Sequence, residues 1–205
     1  MRERIALSGW MGSGKTFAAH RLCELFGYKV VSHTDPLKMI VEAVRSNDRR
    51  WLASIIDELA SDKVQATLLI CLTNNLSTHH SIEIQSHQKP RSFMCSLGSE
   101  FCKLDPEIFV RYLRGRVDAG LVVVDDVRLP LEYASAVDLG FTTVRCVCHP
   151  TERLRRLGSL YPGFDIELMG GYLEHALDLV LMDYQLDTGC DLANFDNQLA
   201  EIVGV

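Results

Sequence analysis

The segment Gly9-Trp10-Met11-Gly12-Ser13-Gly14-Lys15-Thr16 fits the pattern G-x-x-x-x-G-K-[ST]. A loop of this kind turns successive backbone N–H groups inward around a phosphate, and glycine permits the close approach. Three positive contributions converge on one anion: the N–H nest, the positive end of the helix that follows, and the Lys15 ammonium. Gly12, Ser13, Gly14, Lys15 and Thr16 are therefore the expected nucleotide-binding residues, Lys15 being catalytic as well and the Thr16 hydroxyl being placed for Mg2+. In a chain of this composition a chance match is expected roughly 0.003 times, so the pattern reads as a triphosphate site. A second segment, Val122-Val123-Val124-Asp125-Asp126-Val127-Arg128, is an aliphatic run that delivers carboxylates to a sheet edge, where metal and phosphates would lie. Asp125 or Asp126 is expected to serve the metal, directly or through water, and the residues alone do not choose. The chain has no N-K-x-D guanine motif and no L-S-G-G-Q signature, which sets GTPases and transporter ATPases aside.

Alternating strands and helices are needed to hold these groups. Arg4 to Ser8 reads as a buried strand, Lys15 to Phe26 as a helix stopped by Gly27, Tyr28 to Ser32 as a second strand, and Asp35-Pro36 as the start of a helix. Trp51 to Leu72 suits one or two helices, and further helices are predicted over Ser92 to Lys103 and Pro106 to Val117. Leu121 to Val124 is the strongest strand pattern, a continuous run suited to a central parallel strand covered on both faces. Beyond it come a helix over Pro130 to Leu139, a strand over Thr142 to Cys148, a basic helix over Thr151 to Leu157 and a helix over Ile166 to Leu177. A strand within Leu179 to Leu186 and a helix from Asn194 complete the pattern. The expectation is a three-layer α/β P-loop NTPase fold, a parallel sheet with helices on both faces. Thr73 to Arg91 is polar with little periodicity and is predicted to be a surface loop or hairpin, its His79, His80 and His87 solvated.

At about 150 residues per domain, 205 residues imply one domain. Within 1–205, a substrate-binding insert is expected over about 45–118 and a short lid over about 149–165. With 23% charged and 47% hydrophobic residues the chain is neither a disordered tail nor a fibrous repeat. A net charge of −6 argues against a protein whose main task is gripping nucleic acid. The seven cysteines are scattered without a C-x-x-C pair and are read as buried thiols. Neither a secretory segment nor an apolar run of membrane-spanning length is present, so a cytoplasmic protein without a membrane partner is expected.

Four segments together resemble one family, the deoxynucleoside monophosphate kinases of double-stranded DNA bacteriophages, within the nucleoside monophosphate kinase group of P-loop folds. Besides the Gly9 to Thr16 loop, Thr34-Asp35-Pro36-Leu37-Lys38 is similar to the family's A-D-P-L-K element. Lys89-Pro90-Arg91 with Leu97-Gly98-Ser99-Glu100 is similar to its K-x-R and L-G-T-[DE] pair, and Asp126-Val127-Arg128-Leu129-Pro130-Leu131-Glu132 to its D-V-R-F-x-N-E box. His175-Ala176-Leu177-Asp178 stands in place of H-x-S-E, departing at the serine and the acid. The resemblance implies Mg2+-dependent transfer of the γ-phosphoryl of ATP to a deoxynucleoside monophosphate in the cytoplasm, of the host if the chain is phage-encoded. The chemistry asks for cations more than a strong base, because the acceptor phosphate is already a nucleophile. Arg91 and Arg128 are the expected acceptor-phosphate grips, since arginine binds phosphate with a two-pronged fork. Lys38 shares that role, Gly98 and Ser99 line the acceptor side, and Glu132 holds Arg128 or touches the base. Asp35 contacts the acceptor or a metal-bound water, or caps its helix. Arg153 and Arg156, three residues apart on a basic helix, are the expected lid arginines, Arg153 in a catalytic role. Partners are thus small nucleotides, and a homodimer is compatible with the resemblance although no residue marks an interface. Other classes compatible with a P-loop are a kinase acting on a modified base within DNA, a nucleotide-binding regulator without transfer activity, and dephospho-coenzyme A kinase. The accepted base is not legible in these residues.

Overall fold

The computed structural model describes residues 1–86, 90–160 and 171–205. The chain falls into two compact units, Met1–Ser32 with Val117–Val205, and His33–Arg116. The first unit opens with β1 (Arg4–Ser8), α1 (Lys15–Phe26) and β2 (Lys29–Val31). The second unit consists of α2 (Asp35–Arg45), α3 (Arg49–Leu59), α4 (Lys63–His79), α5 (Ser81–Gln85), α6 (Arg91–Leu104) and α7 (Ile108–Arg114). The chain then returns to the first unit through β3 (Val122–Val127), α8 (Pro130–Asp138), β4 (Thr142–Val147), α9 (Pro150–Leu160), α10 (Tyr172–His175), β5 (Tyr184–Asp187) and α11 (Leu192–Val203). The inserted unit begins at His33 rather than near 45, because α2 contributes Leu37, Ile40 and Val41 to the helical core.

All five strands are parallel, in the order β2-β3-β1-β4-β5. The fold is a three-layer α/β arrangement, a sheet wrapped by helices as the alternating pattern predicts. One core joins Ile5, Leu7, Val123, Val144, Cys146 and Leu186 of the sheet to Ala18, Ala19 and Leu22 of α1 and to Phe195, Leu199 and Ile202 of α11. Small Ala18 and Ala19 let α1 lie close on the strands, and the helix stops at Gly27, whose φ of 78° favours glycine. At the end of β3 the register with β1 slips by one residue, leaving Asp125 and Asp126 opposite Leu7. Such an irregularity re-aims side chains, and here it falls on the two acids.

In the second unit, side chains of α2, α3, α4, α6 and α7 surround Ile40, Ile56, Leu69, Phe93, Leu97 and Phe101, all fully buried. Asp48 caps α3 by accepting from the N–H groups of Arg50 at 3.1 Å and Trp51 at 2.9 Å, and Asp62 caps α4 through Gln65 at 2.8 Å. The loop expected over Thr73 to Arg91 is helical as far as Gln85; residues 87–89, including His87, lie outside the described residues. Its polar composition hides an apolar stripe: Leu69 and Thr73 are fully buried and Leu76 packs on the same core, spaced at a helical period. Thr73 tolerates burial because its hydroxyl donates to the Leu69 carbonyl at 2.8 Å. His80 is likewise engaged, 3.3 Å from Glu83 and tilted against Phe93.

Elsewhere the differences are in extent. The basic helix runs to Leu160, the last strand is confined to Tyr184–Asp187, and of the helix expected over Ile166 to Leu177 the described part is Tyr172–His175. Residues 161–165 of the expected lid also lie outside the described residues. The thiols are free and less buried than expected: Cys146 is buried, whereas Cys71 and Cys95 are exposed. Burial pushes the Cys146 thiol up to about 12, so it stays protonated. Among the described residues no helix is long and apolar enough to cross a membrane.

Candidate active site

The glycine-rich loop, residues 9–14, joins β1 to α1 at the carboxyl end of the sheet. Gly14 caps α1 with φ 87° and ψ 13°, and a Cβ added there would sit 2.9 Å from Thr188 Oγ1. Gly9 has φ 135°, and its added Cβ would sit 2.4 Å from the Cys146 carbonyl. Conformation and space therefore both demand glycine at these two positions. Ser13 is buried, its N–H donates to Trp10 O at 3.1 Å, and its carbonyl accepts from the Thr188 hydroxyl at 2.7 Å.

Lys15 is 7% exposed, and its ammonium donates to the carbonyls of Gly9 at 2.5 Å and Trp10 at 2.9 Å. Burial, assisted by the nearby Arg128 charge, lowers its pKa from 10.5 to about 8. Thr16, on the exposed side of α1, donates to Asp125 Oδ2 at 3.4 Å. Asp126 is 7% exposed and accepts from Ser32 Oγ at 2.5 Å. The two acids are thus divided: Asp125 meets the loop's threonine and Asp126 meets the end of β2. The Thr16 hydroxyl and the Asp125 carboxylate are hard oxygen donors of the kind Mg2+ accepts, whereas Asp126 is turned to another partner. Among the described residues no cluster of three His, Cys, Asp or Glu side chains suits a protein-only metal cage. A two-donor site completed by phosphate oxygens is the arrangement that Mg2+ typically takes with nucleotides.

Arg128 follows β3 and is gripped at both ends. Its backbone N–H donates to Glu132 Oε2 at 2.8 Å, and its Nη1 donates to Glu174 Oε1 at 2.7 Å. Glu132 also accepts from the Leu129 N–H at 2.9 Å, so it closes the first turn of α8 while fixing Arg128. The contact of Glu132 with Arg128 is thus made at the backbone N–H, not at the guanidinium.

The two expected lid arginines both donate to carbonyls of the loop. Arg153 is 6% exposed, donates through Nε to Met11 O at 3.1 Å, and lies over the Trp10 ring at 4.5 Å. Arg156 donates to Thr188 O at 2.6 Å and Thr188 Oγ1 at 3.1 Å, and reaches Gly12 O at 3.5 Å. Leu157 explains the placement: it is buried, and a Cβ on Gly12 would lie 3.0 Å from its Cγ, so α9 packs on the loop. Arg155 instead pairs with Glu152 at the surface, and hydrogen bonds from Arg155 and Arg156 hold that carboxyl down at about 2.

The remaining candidates belong to the second unit. Asp35 begins α2 and pairs with Lys38 at 2.8 Å. Arg91 begins α6 and is half-buried. Gly98 lies inside α6, where an added Cβ would come 3.2 Å from Leu37 Cδ1, so its smallness serves the packing of α2 on α6. Ser99 is exposed on the same helix. Lys89, before Arg91, is outside the described residues.

Four residues at the loop were not singled out beforehand. Trp10 Nε1 donates to Asp178 Oδ1 at 2.7 Å, and Asp178 also meets His175 Nδ1 at 2.7 Å. Although burial raises it, these two hydrogen bonds hold the Asp178 carboxyl below its usual range. Thr188 ties β5 to the loop, and Arg145 donates to the carbonyls of Leu177 at 2.6 Å and Val180 at 2.8 Å. Glu174, 4% exposed at its side chain, joins Arg128 to the Met11 N–H. Ser8, Arg128, Arg145, Glu174 and Leu177 line a small open recess beside the loop. An acid next to a histidine in an apolar stretch was the available signal for Glu174, but such a pair points to no particular partner.

No protein-family model matches the chain, and no curated protein matches it. Among solved structures it is similar to TT1252 from Thermus thermophilus. That match covers 98% of this chain and 95% of the other, with a TM-score of 0.50 and 19% identity. A likeness at this level concerns the fold alone.

Proposed function

We propose that the chain is a Mg·ATP-dependent deoxynucleoside monophosphate kinase. The observation that carries the reading is the strand-loop-helix junction, where buried Lys15 lies in a glycine-turned loop and the Thr16 hydroxyl meets Asp125 at 3.4 Å. Lys15 and the positive end of α1 would hold the β- and γ-phosphates. Thr16 and Asp125 would hold Mg2+, which when bound neutralises charge on the phosphate oxygens. In the transfer an oxygen of the acceptor's 5′-phosphate attacks the γ-phosphorus, a new P–O bond forms, and the β–γ bridging P–O bond breaks with its electron pair leaving on ADP. No proton need move, since a phosphate dianion is the nucleophile, and positioned cations rather than a base supply the stabilisation. Arg128 is the cation of the first unit suited to that task. Arg91 and Lys38, with Asp35 paired to Lys38, are the acceptor-side residues implied by the resemblance of their segments.

The test is ADP formation from Mg·ATP with the four ordinary deoxynucleoside monophosphates, several 5-substituted pyrimidine ones and dephospho-coenzyme A. Turnover stimulated by one or a few deoxynucleoside monophosphates supports the reading and identifies the base. Stimulation by dephospho-coenzyme A alone, or ATP binding without stimulation by any acceptor, refutes it.

A further inference from the structure

Glu174 sits in an unusual place for an acid. It is 8% exposed, precedes the His175 to Asp178 segment, and puts its two carboxylate oxygens to different uses. Oε1 accepts from Arg128 Nη1 at 2.7 Å, and Oε2 accepts from the Met11 N–H within the phosphate-binding loop. A buried carboxylate is costly unless its charge is matched and its oxygens accept hydrogen bonds, and here Arg128 supplies the charge and each oxygen has a donor. Arg128 for its part is held at its backbone by Glu132 and at its guanidinium by Glu174. The guanidinium is a rigid plane of five N–H donors, so anchoring one edge sets the direction of the rest.

We propose that Glu174 is the positioning residue that holds the Arg128 guanidinium in register with the phosphate-binding loop, acting on phosphoryl transfer through Arg128. The inference rests on the kinase reading above. Because Oε2 is fixed to the loop backbone, any displacement of the loop carries Arg128 with it, and cation and phosphate cradle keep one spacing. Misplacing such a group by about 1 Å costs on the order of a hundredfold in rate. Lys15 and the helix end hold the donor nucleotide without Glu174, so the loss should fall on kcat and not on the KM for ATP.

The experiment compares the unaltered protein with Glu174→Gln, Glu174→Asp, Arg128→Ala and the double variant Arg128→Ala/Glu174→Gln, each checked by circular dichroism. Steady-state kinetics are measured with Mg·ATP and the best deoxynucleoside monophosphate. Glu174→Gln is expected to lower kcat about ten- to a hundredfold with the KM for ATP changed less than about threefold. Glu174→Asp, which keeps the charge but withdraws it by one methylene, should lose less. Glu174→Gln should change kcat less than about twofold once Arg128 is alanine. An unchanged kcat, a loss confined to the KM for ATP, or full additivity in the double variant overturns the inference while leaving the kinase reading intact. If Glu174→Gln fails to fold, the kcat of Glu174→Asp decides by the same criteria. Absence of turnover in the unaltered protein overturns both.

Discussion

The first unit buries Lys15, Arg153 and Glu174 against polar partners around one loop, and Asp126 against Ser32. In the second unit, the buried polar residues among those described are His33 and Thr73; its core is aliphatic and aromatic, and ion pairs such as Asp35–Lys38 and Glu58–Arg116 are solvated. Burying charge is expensive unless partners match it, so a cluster of buried ionic side chains marks where a fold has been shaped for something other than stability. The helical unit shows the opposite economy, in which packing holds the structure and charge decorates it. Residues of the first unit should therefore govern function at constant stability, and core residues of the second should govern stability.

The sharpest separation comes from Lys15→Ala. Removing the buried ammonium should lower acceptor-stimulated ADP formation about 10²- to 10³-fold, as loss of one electrostatic donor does elsewhere, with the far-ultraviolet circular dichroism unchanged. A collapse of the fold instead would make Lys15 structural and erase the contrast. In the second unit, Leu69→Ala removes a fully buried side chain and should cost about 2–5 kcal/mol in urea unfolding. A cost under about 1 kcal/mol would show that α4 is not packed where its buried stripe places it. Arg91→Ala should raise the KM for the monophosphate about tenfold and leave ATP affinity, measured by calorimetry, unchanged. An effect on ATP alone would remove Arg91 from the acceptor side.

Acidity gives a smaller, graded test. The folded Lys15 pKa of about 8 lies below its ordinary 10.5, so between those values the unfolded chain holds a proton that the folded chain has released. Stability from this group therefore rises with pH across that window, while affinity for the triphosphate falls above about pH 8 as the ammonium is lost. Both trends should vanish in Lys15→Met, measured by thermal unfolding and by calorimetry. At the bottom of the scale, Arg155→Ala breaks an exposed pair with Glu152 and should leave both the urea-unfolding midpoint and turnover unchanged.

The same contrast explains what was legible in the residues. The loop, Lys15, Thr16 and the Val122 run were readable because a glycine-turned strand-to-helix loop demands fixed types at fixed spacing and a doubly covered strand demands continuous aliphatics. The helix over 73–79 was hidden because its buried stripe passes through Thr73, a residue type that composition counts as loop-forming. That Asp125 meets Thr16 while Asp126 meets Ser32 goes with the register slip opposite Leu7, which depends on pairing with β1 and leaves no local mark. The contacts of Arg153 and Arg156 with the loop's carbonyls were equally hidden, since a basic helix face reads alike whether it faces solvent or a loop. Glu174 finds Met11 and Arg128 across 163 and 46 residues of chain, a meeting that neither local sequence announces.

The account's central claim is tested most directly by following a labelled γ-phosphate from Mg·ATP, with the unaltered protein and Lys15→Ala, in the presence of each deoxynucleoside monophosphate. Label appearing in a deoxynucleoside diphosphate, and lost with Lys15→Ala, is the predicted result. Label that remains on ATP with every acceptor, or that is released only as inorganic phosphate, would contradict it.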